Sequence, residues 1–180
     1  MRQVISILIL SLLIAAPSSA DCAGAVIVRH AEKAEDGTKD PGLTEAGHAR
    51  AEALADALEG VRVAGLIASQ YRRTRLTLSA LERREGVDPV IVPAGPDTLD
   101  AHVEAIAARV RDSRDHGVWV IAGHSNTVPR IVEALSGDTI APIDESTYDR
   151  IFVLIPAGDG FEVVTARYGA ASPAPSRPAD

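Results

Sequence analysis

The chain has 180 residues, 46% of them hydrophobic, and its 18 Lys and Arg against 25 Asp and Glu give a formal net charge of −7. This length suits one domain with its own core, and the acidic balance argues against general binding to nucleic acids or anionic membranes. Because Cys22 is the only cysteine, an intramolecular disulfide is excluded.

The first twenty residues have the pattern of a secretory signal peptide. Arg2 supplies a positive charge, residues 4–16 are nearly all apolar, and small residues precede Asp21. We predict cleavage after Ala20, which leaves a periplasmic or secreted protein without a membrane span. The alternative is an uncleaved anchor, although the apolar run is shorter than the roughly 20 residues that a membrane-spanning helix needs.

Strand-like and helix-like segments alternate along the rest of the chain. The predicted strands are the short apolar runs Ala25–Arg29, Ala64–Ala68, Pro89–Val92, Gly117–Ala122, Arg150–Pro156 and Phe161–Tyr168. A first helix is predicted over Glu45–Leu58, with Thr44 as its N-cap. Helical spacing of apolar residues indicates three more helices, carried by Tyr71, Thr74, Leu78 and Leu81, by Leu99, Val103, Ile106 and Val110, and by Val128, Ile131, Val132 and Leu135.

This order of elements predicts an α/β fold, a three-layer α/β/α sandwich with a mainly parallel sheet. The strands are unbroken apolar runs, which is typical of strands covered on both faces. Residues 157–160 form a hairpin-like turn, so at least one strand is antiparallel. We assign residues 21–168 to one domain, and we predict that residues 169–180, rich in Ala, Ser and Pro, are a disordered tail.

Two of the predicted strands run directly into a histidine. Arg29 and His30 follow the apolar run 25–28, and His124 follows the strand 117–122 after one glycine. Ligands of open α/β sheets bind at the carboxyl ends of the strands. We therefore predict that both histidines belong to one ligand-binding site.

Four segments resemble the motifs of the histidine phosphatase superfamily, also called phosphoglycerate mutase-like. They are the Arg-His-Gly-like segment 28–33, the helix-opening segment 40–47, the Ser-x-x-x-x-Arg-Ala-x-x-Thr-like segment 69–77, and the second-histidine segment 123–126. They occur in family order and span residues 25–168. Ala31 replaces the usual Gly, and the long insertions of larger members are absent. The Arg-His-Ala-Glu-Lys form of the signature, at residues 29–33, resembles that of a small exported branch of the superfamily.

The resemblance implies a metal-independent phosphatase that acts on a small phosphorylated substrate and needs no cofactor. His30 would be the nucleophile that forms a phosphohistidine, with its other ring nitrogen donating to a backbone carbonyl, expected near Gly42. Arg29, Arg73 and a protonated His124 would surround the phosphoryl oxygens, which suits the bidentate geometry of arginine.

Five further residues are candidates for the same site. Glu32 and Lys33 either contact substrate or form a loop salt bridge. Ser125 and Asn126 open the fourth helix, where backbone amides can hold a phosphate oxygen and Ser125 can serve as the N-cap. Asp97 is the candidate general acid, and it is also a natural N-cap for the third helix. If no carboxylate reaches the site, substrates with easily expelled leaving groups are favoured.

Other site classes fit the chain less well. A serine hydrolase is disfavoured because Thr127 stands where the nucleophile elbow has Gly, and no histidine follows Ser125. A zinc site is disfavoured because His30-x-Glu32 is a sparse ligand set. A phosphomutase and a non-catalytic module that binds phosphorylated ligands remain open alternatives, as does the oligomeric state.

Overall fold

The computed structural model of the protein describes residues 23–172. The predicted signal peptide and the end of the predicted tail, residues 173–180, lie outside the described residues. The strands are β1 (Gly24–Arg29), β2 (Val63–Ala68), β3 (Val90–Ile91), β4 (Val118–Gly123), β5 (Arg150–Ala157) and β6 (Gly160–Arg167). The helices are α1 (Glu45–Ala57), α2 (Arg72–Glu85), α3 (Leu99–Arg111) and α4 (Val128–Ser136), with a 3-10 turn at Pro96–Thr98 before α3.

The six strands form one mixed sheet in the order β3-β2-β4-β1-β5-β6. Strands β1 to β4 are mutually parallel, whereas β5 is antiparallel to β1 and β6 is antiparallel to β5. The predicted fold class is confirmed. The reversal at β5 has a functional consequence, because the chain entering β5 arrives at the edge where β1 and β4 end.

Two apolar cores lie on the two faces of the sheet. Successive residues of each central strand alternate between them, so that Ala25 and Ile27 join the core under α3 and α4, whereas Val26 and Val28 join the core under α1 and α2. A strand buried in this way needs apolar residues at every position, which explains the unbroken runs in the sequence.

Local signals account for the helix ends. The Thr44 hydroxyl accepts a hydrogen bond from the Gly47 amide at 3.1 Å, which confirms the predicted N-cap of α1. Helices α2 and α4 end at Gly86 and Gly137, whose φ angles of 68° and 80° favour glycine. Within residues 23–172, none of the helices has the length and apolar character that crossing a membrane requires.

The predicted tail begins too early. Ser172 accepts hydrogen bonds from the amides of Tyr148 and Asp149 at 2.8 and 3.0 Å, and the Ala170 carbonyl accepts one from Arg50 at 2.9 Å. Residues 169–172 are therefore part of the folded domain. Their composition is that of a linker, and long-range hydrogen bonds rather than apolar side chains hold them in place.

Candidate active site

The carboxyl ends of β1 and β4 place the two strand-end histidines side by side. Arg29 pairs with Gly123 in the parallel register, and the His30 amide donates to the Gly123 carbonyl at 2.8 Å. The rings of His30 and His124 then lie edge to face, with centroids 5.4 Å apart. The predicted convergence of the two imidazoles is confirmed.

The His30 ring is held in the tautomer that nucleophilic attack requires. Its Nδ1 lies 2.8 Å from the Ala31 carbonyl, which only accepts, so Nδ1 carries the hydrogen and Nε2 keeps its lone pair. The predicted carbonyl is thus that of the next residue and not one near Gly42. Burial lowers the pKa of His30 to about 3; the Ala31 bond opposes this effect, and the charges of Arg29 and Arg73 add to it.

A chain of hydroxyl groups orients His124 from the opposite side. Its Nε2 lies 3.0 Å from the Ser69 Oγ, which lies 2.9 Å from the Thr74 Oγ1, and Thr74 donates in turn to the Tyr71 carbonyl at 2.8 Å. The other ring nitrogen, Nδ1, lies 3.5 Å from the Arg73 Nη2, which can only donate. His124 therefore carries its hydrogen on Nε2 and presents the Nδ1 lone pair to Arg73.

His124 is neutral in the free protein. Burial, followed by the charges of His30 and Arg73, lowers its pKa to about 3. The sequence predicts a protonated His124. With the pKa lowered in this way, protonation requires a bound dianion, because a nearby negative charge favours the cation. Its Nδ1, beside Arg73, is the atom that would take up the proton.

A cavity of about 380 Å³ opens between these groups. Of the residues predicted for the site, those that line the cavity are His30, Lys33, Arg73, His124, Ser125 and Asn126. Tyr71 also lines it, packing edge to face on His124 at 5.4 Å while the Arg73 guanidinium stacks on its ring at 4.4 Å. Arg73 and Lys33 make the cavity attractive to anions.

Arg29 is buried behind the cavity and is not among its lining residues. Its Nη1 donates to the carbonyls of Asp144, Glu145 and Thr147 at 2.7–3.2 Å, and its Nη2 donates to a Glu145 carboxylate oxygen at 2.6 Å. The guanidinium also stacks on Tyr148 at 4.3 Å. Arg29 thus organises the loop that enters β5, and its direct contact with phosphate stays a prediction.

The chain is similar to one known protein family and to several solved structures. The model of the histidine phosphatase superfamily (branch 1) matches residues 25–94. Among solved structures, the putative phosphohistidine phosphatase SixA from Agrobacterium tumefaciens is 24% identical over 74% of this chain and 92% of that one, with a TM-score of 0.53. The protein histidine phosphatase SixA complexed with tungstate is 18% identical over 80% and 96% of the two chains, with a TM-score of 0.62.

Over residues 25–94 the chain is similar to the histidine phosphatase superfamily (branch 1), and the solved structures share its fold. A mycobacterial glucosyl-3-phosphoglycerate phosphatase complexed with VO3 shares the fold as well, with 14% identity, coverage of 83% of this chain and all of that one, and a TM-score of 0.62. A search of curated protein sequences finds no match. Membership of the small exported branch stays a prediction.

The chain departs from the usual Arg-His-Gly signature of that superfamily without strain. No residue other than glycine has a positive φ within residues 23–172, so Ala31 does not need the conformational freedom of Gly. The Ala31 methyl group is buried, and its amide donates to the Thr77 hydroxyl at 2.9 Å. The substitution is thus compatible with the His30 geometry.

Glu32 forms a salt bridge instead of contacting the cavity. Its carboxylate accepts three hydrogen bonds of 2.7–3.0 Å from Arg50 on α1, and it is not among the residues that line the cavity. A side chain at Gly47 would collide with the Glu32 carbonyl at 2.4 Å, so glycine lets α1 approach the loop closely. The salt bridge that the sequence left open as the alternative is found, and the substrate contact of Glu32 stays a prediction.

Asp97 lies in the exposed 3-10 turn before α3 and is not among the cavity residues. It is also not the N-cap, because that position belongs to Thr98, whose side chain makes no capping bond. Ser125 and Asn126 form a turn that precedes α4, which begins at Val128. The Ser125 hydroxyl donates to Glu145 and does not cap the helix.

Several residues of the site could not be assigned from the sequence. Ser69 is the first residue of the motif-like segment 69–77, so its place in the motif could have indicated a role in the site. Glu145 follows an irregular stretch in which no motif or periodicity indicates such a role. His102 on α3 is also buried, and its Nδ1 donates to the Val92 carbonyl at 3.0 Å.

Acid is expected to destabilise the fold through the site histidines. Since the folded pKa of His30 and of His124 is about 3 against 6.5, only the unfolded chain binds protons between these values, and stability falls as pH falls below 6.5. From pH 7.5 to 5.0 each histidine should lower the free energy of unfolding by about 2 kcal/mol. Urea unfolding at both pH values measures this loss.

On acidification from pH 7.5 to 5.0, the H124Q variant should lose about 2 kcal/mol less stability than the parent protein does. The matched control is H48Q, which replaces an exposed histidine of α1 and should keep the full acid loss. Equal acid losses in H124Q and the parent protein would show that His124 is not held neutral by the fold.

Proposed function

We propose that the protein is a phosphatase that hydrolyses a small phosphorylated substrate, a phosphomonoester or a similar group, through a phosphohistidine on His30. The observation that carries the proposal is the pairing of His30, whose Nε2 lone pair is available, with His124 at 5.4 Å in a cavity that Arg73 and Lys33 also line. Phosphoryl transfer depends mainly on positioning and charge stabilisation, and these groups provide both.

The two histidines would act in different protonation states. His30, neutral because of its burial, attacks phosphorus through Nε2 and displaces the leaving group. His124 takes up a proton on Nδ1 as the anion binds, and together with Arg73 it stabilises the charge on the phosphoryl oxygens. Water then cleaves the N–P bond and restores His30.

The solved relatives support this chemistry. SixA is a phosphohistidine phosphatase and another neighbour is a glucosyl-3-phosphoglycerate phosphatase, so different phosphorylated substrates are handled on this fold. Tungstate and VO3, bound to two of these proteins, are oxyanions that resemble phosphate. The shared element is the phosphoryl group, and the rest of the substrate is left open.

We also propose that the enzyme works outside the cytoplasm, in the periplasm or as a secreted protein. The support is the charged, apolar and small-residue pattern of residues 2–20. N-terminal sequencing of the protein recovered from cell fractions tests it. A mature protein that begins near Asp21 in the exported fraction would agree, and an intact N-terminus in the cytoplasmic fraction would contradict it.

Residues 21–180, purified, should release inorganic phosphate from members of a panel of phosphorylated metabolites. Release of phosphate separates a phosphatase from a mutase, which would convert the substrate to an isomer without net release. Binding of panel members without either product would identify the non-catalytic module instead. The H30A variant provides the background rate for each substrate.

Activity is expected to survive treatment with EDTA. Within residues 23–172, no three or more His, Cys, Asp or Glu side chains are grouped so that they could hold a metal ion, and the proposed charge stabilisation comes from Arg73 and His124. Phosphate release should therefore be unchanged after chelation and dialysis. A loss of activity that a divalent cation restores would contradict the metal-independent mechanism.

A further inference from the structure

The loop between α4 and β5 brings a carboxylate into the cavity. Because β5 runs antiparallel to β1, residues just before Arg150 lie at the edge where β1 and β4 end. Glu145 is in this loop, and it is the only Asp or Glu among the lining residues found within the described part of the chain.

Two hydrogen bonds hold the Glu145 carboxylate beside the proposed phosphoryl site. Oε2 accepts from the Arg29 guanidinium at 2.6 Å, and Oε1 accepts from the Ser125 hydroxyl at 2.5 Å. Arg29 directly precedes His30, and Ser125 directly follows His124. The carboxylate is therefore tied to the neighbours of both catalytic histidines.

The position of Glu145 suits a group that must change its protonation state. Its side chain is 75% exposed, whereas that of Arg29 is only 2% exposed, so the carboxylate lies on the solvent side of the pair. A carboxylate at the solvent side of the cavity can exchange protons with water and also reach a group bound in the cavity, and general acid–base catalysis needs both.

We propose that Glu145 is the general acid and base of the reaction, a proposal that rests on the phosphatase function proposed above. In the first step the His30 Nε2–P bond forms, the P–O bond to the leaving group breaks, and the leaving oxygen takes the proton of the Glu145 carboxyl group. In the second step the Glu145 carboxylate takes a proton from water, the water oxygen bonds to phosphorus, and the N–P bond breaks. Phosphate leaves, and Glu145 is protonated again.

The proposal assigns the proton transfer to a different region from the one that the sequence suggested. Asp97, the candidate named from the sequence, lies in an exposed turn outside the cavity. Glu145 lines the cavity, as a general acid must, whereas Asp97 does not. We therefore expect replacement of Glu145 by its amide to slow the reaction and the same replacement of Asp97 to leave the rate unchanged.

The test is the dependence of the rate on the leaving group in the full mature chain. Wild type, E145Q, D97N and a control, D159N, are assayed with p-nitrophenyl phosphate, phenyl phosphate and an alkyl phosphate. Asp159 lies in the β5–β6 turn, at the opposite edge of the sheet from the cavity. Inhibition by inorganic phosphate is measured for each variant, because it reports whether the phosphoryl site is intact.

Because kcat/KM reports only the steps up to formation of the phosphohistidine, it isolates the proton transfer to the leaving group. E145Q should lose about 10²-fold or more in kcat/KM with the alkyl phosphate, which needs a protonated leaving group, and less than about threefold in kcat/KM with p-nitrophenyl phosphate. Its inhibition by inorganic phosphate should be retained, and D97N and D159N should behave as wild type. An equal loss of kcat/KM for all three substrates, or a leaving-group-dependent loss of kcat/KM in D97N, would overturn the role of Glu145. If wild type and H30A were equally inactive on all three, the phosphatase proposal itself would fail.

Discussion

Replacement of His30 by alanine is expected to lower turnover by on the order of 10⁴-fold or more, because the variant lacks the atom that attacks phosphorus. The His30 ring is almost fully buried. The bond from its Nδ1 to the Ala31 carbonyl fixes the ring, so that Nε2 is the nitrogen available for the attack. The measurement is phosphate release from the best substrate of the metabolite panel.

The matched control is H48A, which removes an exposed histidine of α1 and should retain the wild-type rate. The covalent intermediate gives a second, independent readout. Rapid alkaline quenching with a 32P-labelled substrate should trap an acid-labile label on the wild-type protein and none on H30A. Wild-type turnover in a correctly folded H30A protein would remove His30 from the mechanism.

The R50M variant is expected to lose about 3–5 kcal/mol of stability, since it removes the buried partner of the half-buried Glu32 and leaves that carboxylate uncompensated. Arg50 is 4% exposed, and it donates to the Glu32 carboxylate and to the carbonyls of Tyr168 and Ala170 at 2.7–3.0 Å. One side chain thus joins α1, the loop after His30 and the segment after β6. Urea unfolding at pH 7.5 measures the loss.

The control for this experiment is an exposed arginine salt bridge. In R83M the lost partner is Glu52, and both side chains are more than half exposed, so the cost should stay below about 1 kcal/mol. Replacing both partners, in R50M/E32M, should recover much of the stability, because neither charge of the pair is then left without its partner. A cost for R50M no larger than that for R83M would show that the buried pair does not support the fold.

The fold and the two histidines could be predicted because their signals are local. Apolar runs at 25–29 and 117–122 indicate buried parallel strands wherever their partners lie, and strand ends of such sheets share one edge. The same holds for Thr44, whose side chain caps α1 within three residues of itself. Such features depend on backbone periodicity and short-range hydrogen bonds, which are encoded in consecutive residues.

The sequence alone thus determined the α/β/α layers, the sheet edge that carries the site, and the pairing of His30 with His124. Only the tertiary structure decided that Glu32 pairs with Arg50, that Asp97 stays outside the cavity, and that Glu145 enters it. These side chains lie in irregular loops, whose positions depend on contacts between distant segments, such as the Arg29 bonds to residues 144–147. No periodicity or neighbouring residue encodes such contacts, so they become visible only when the whole chain is folded.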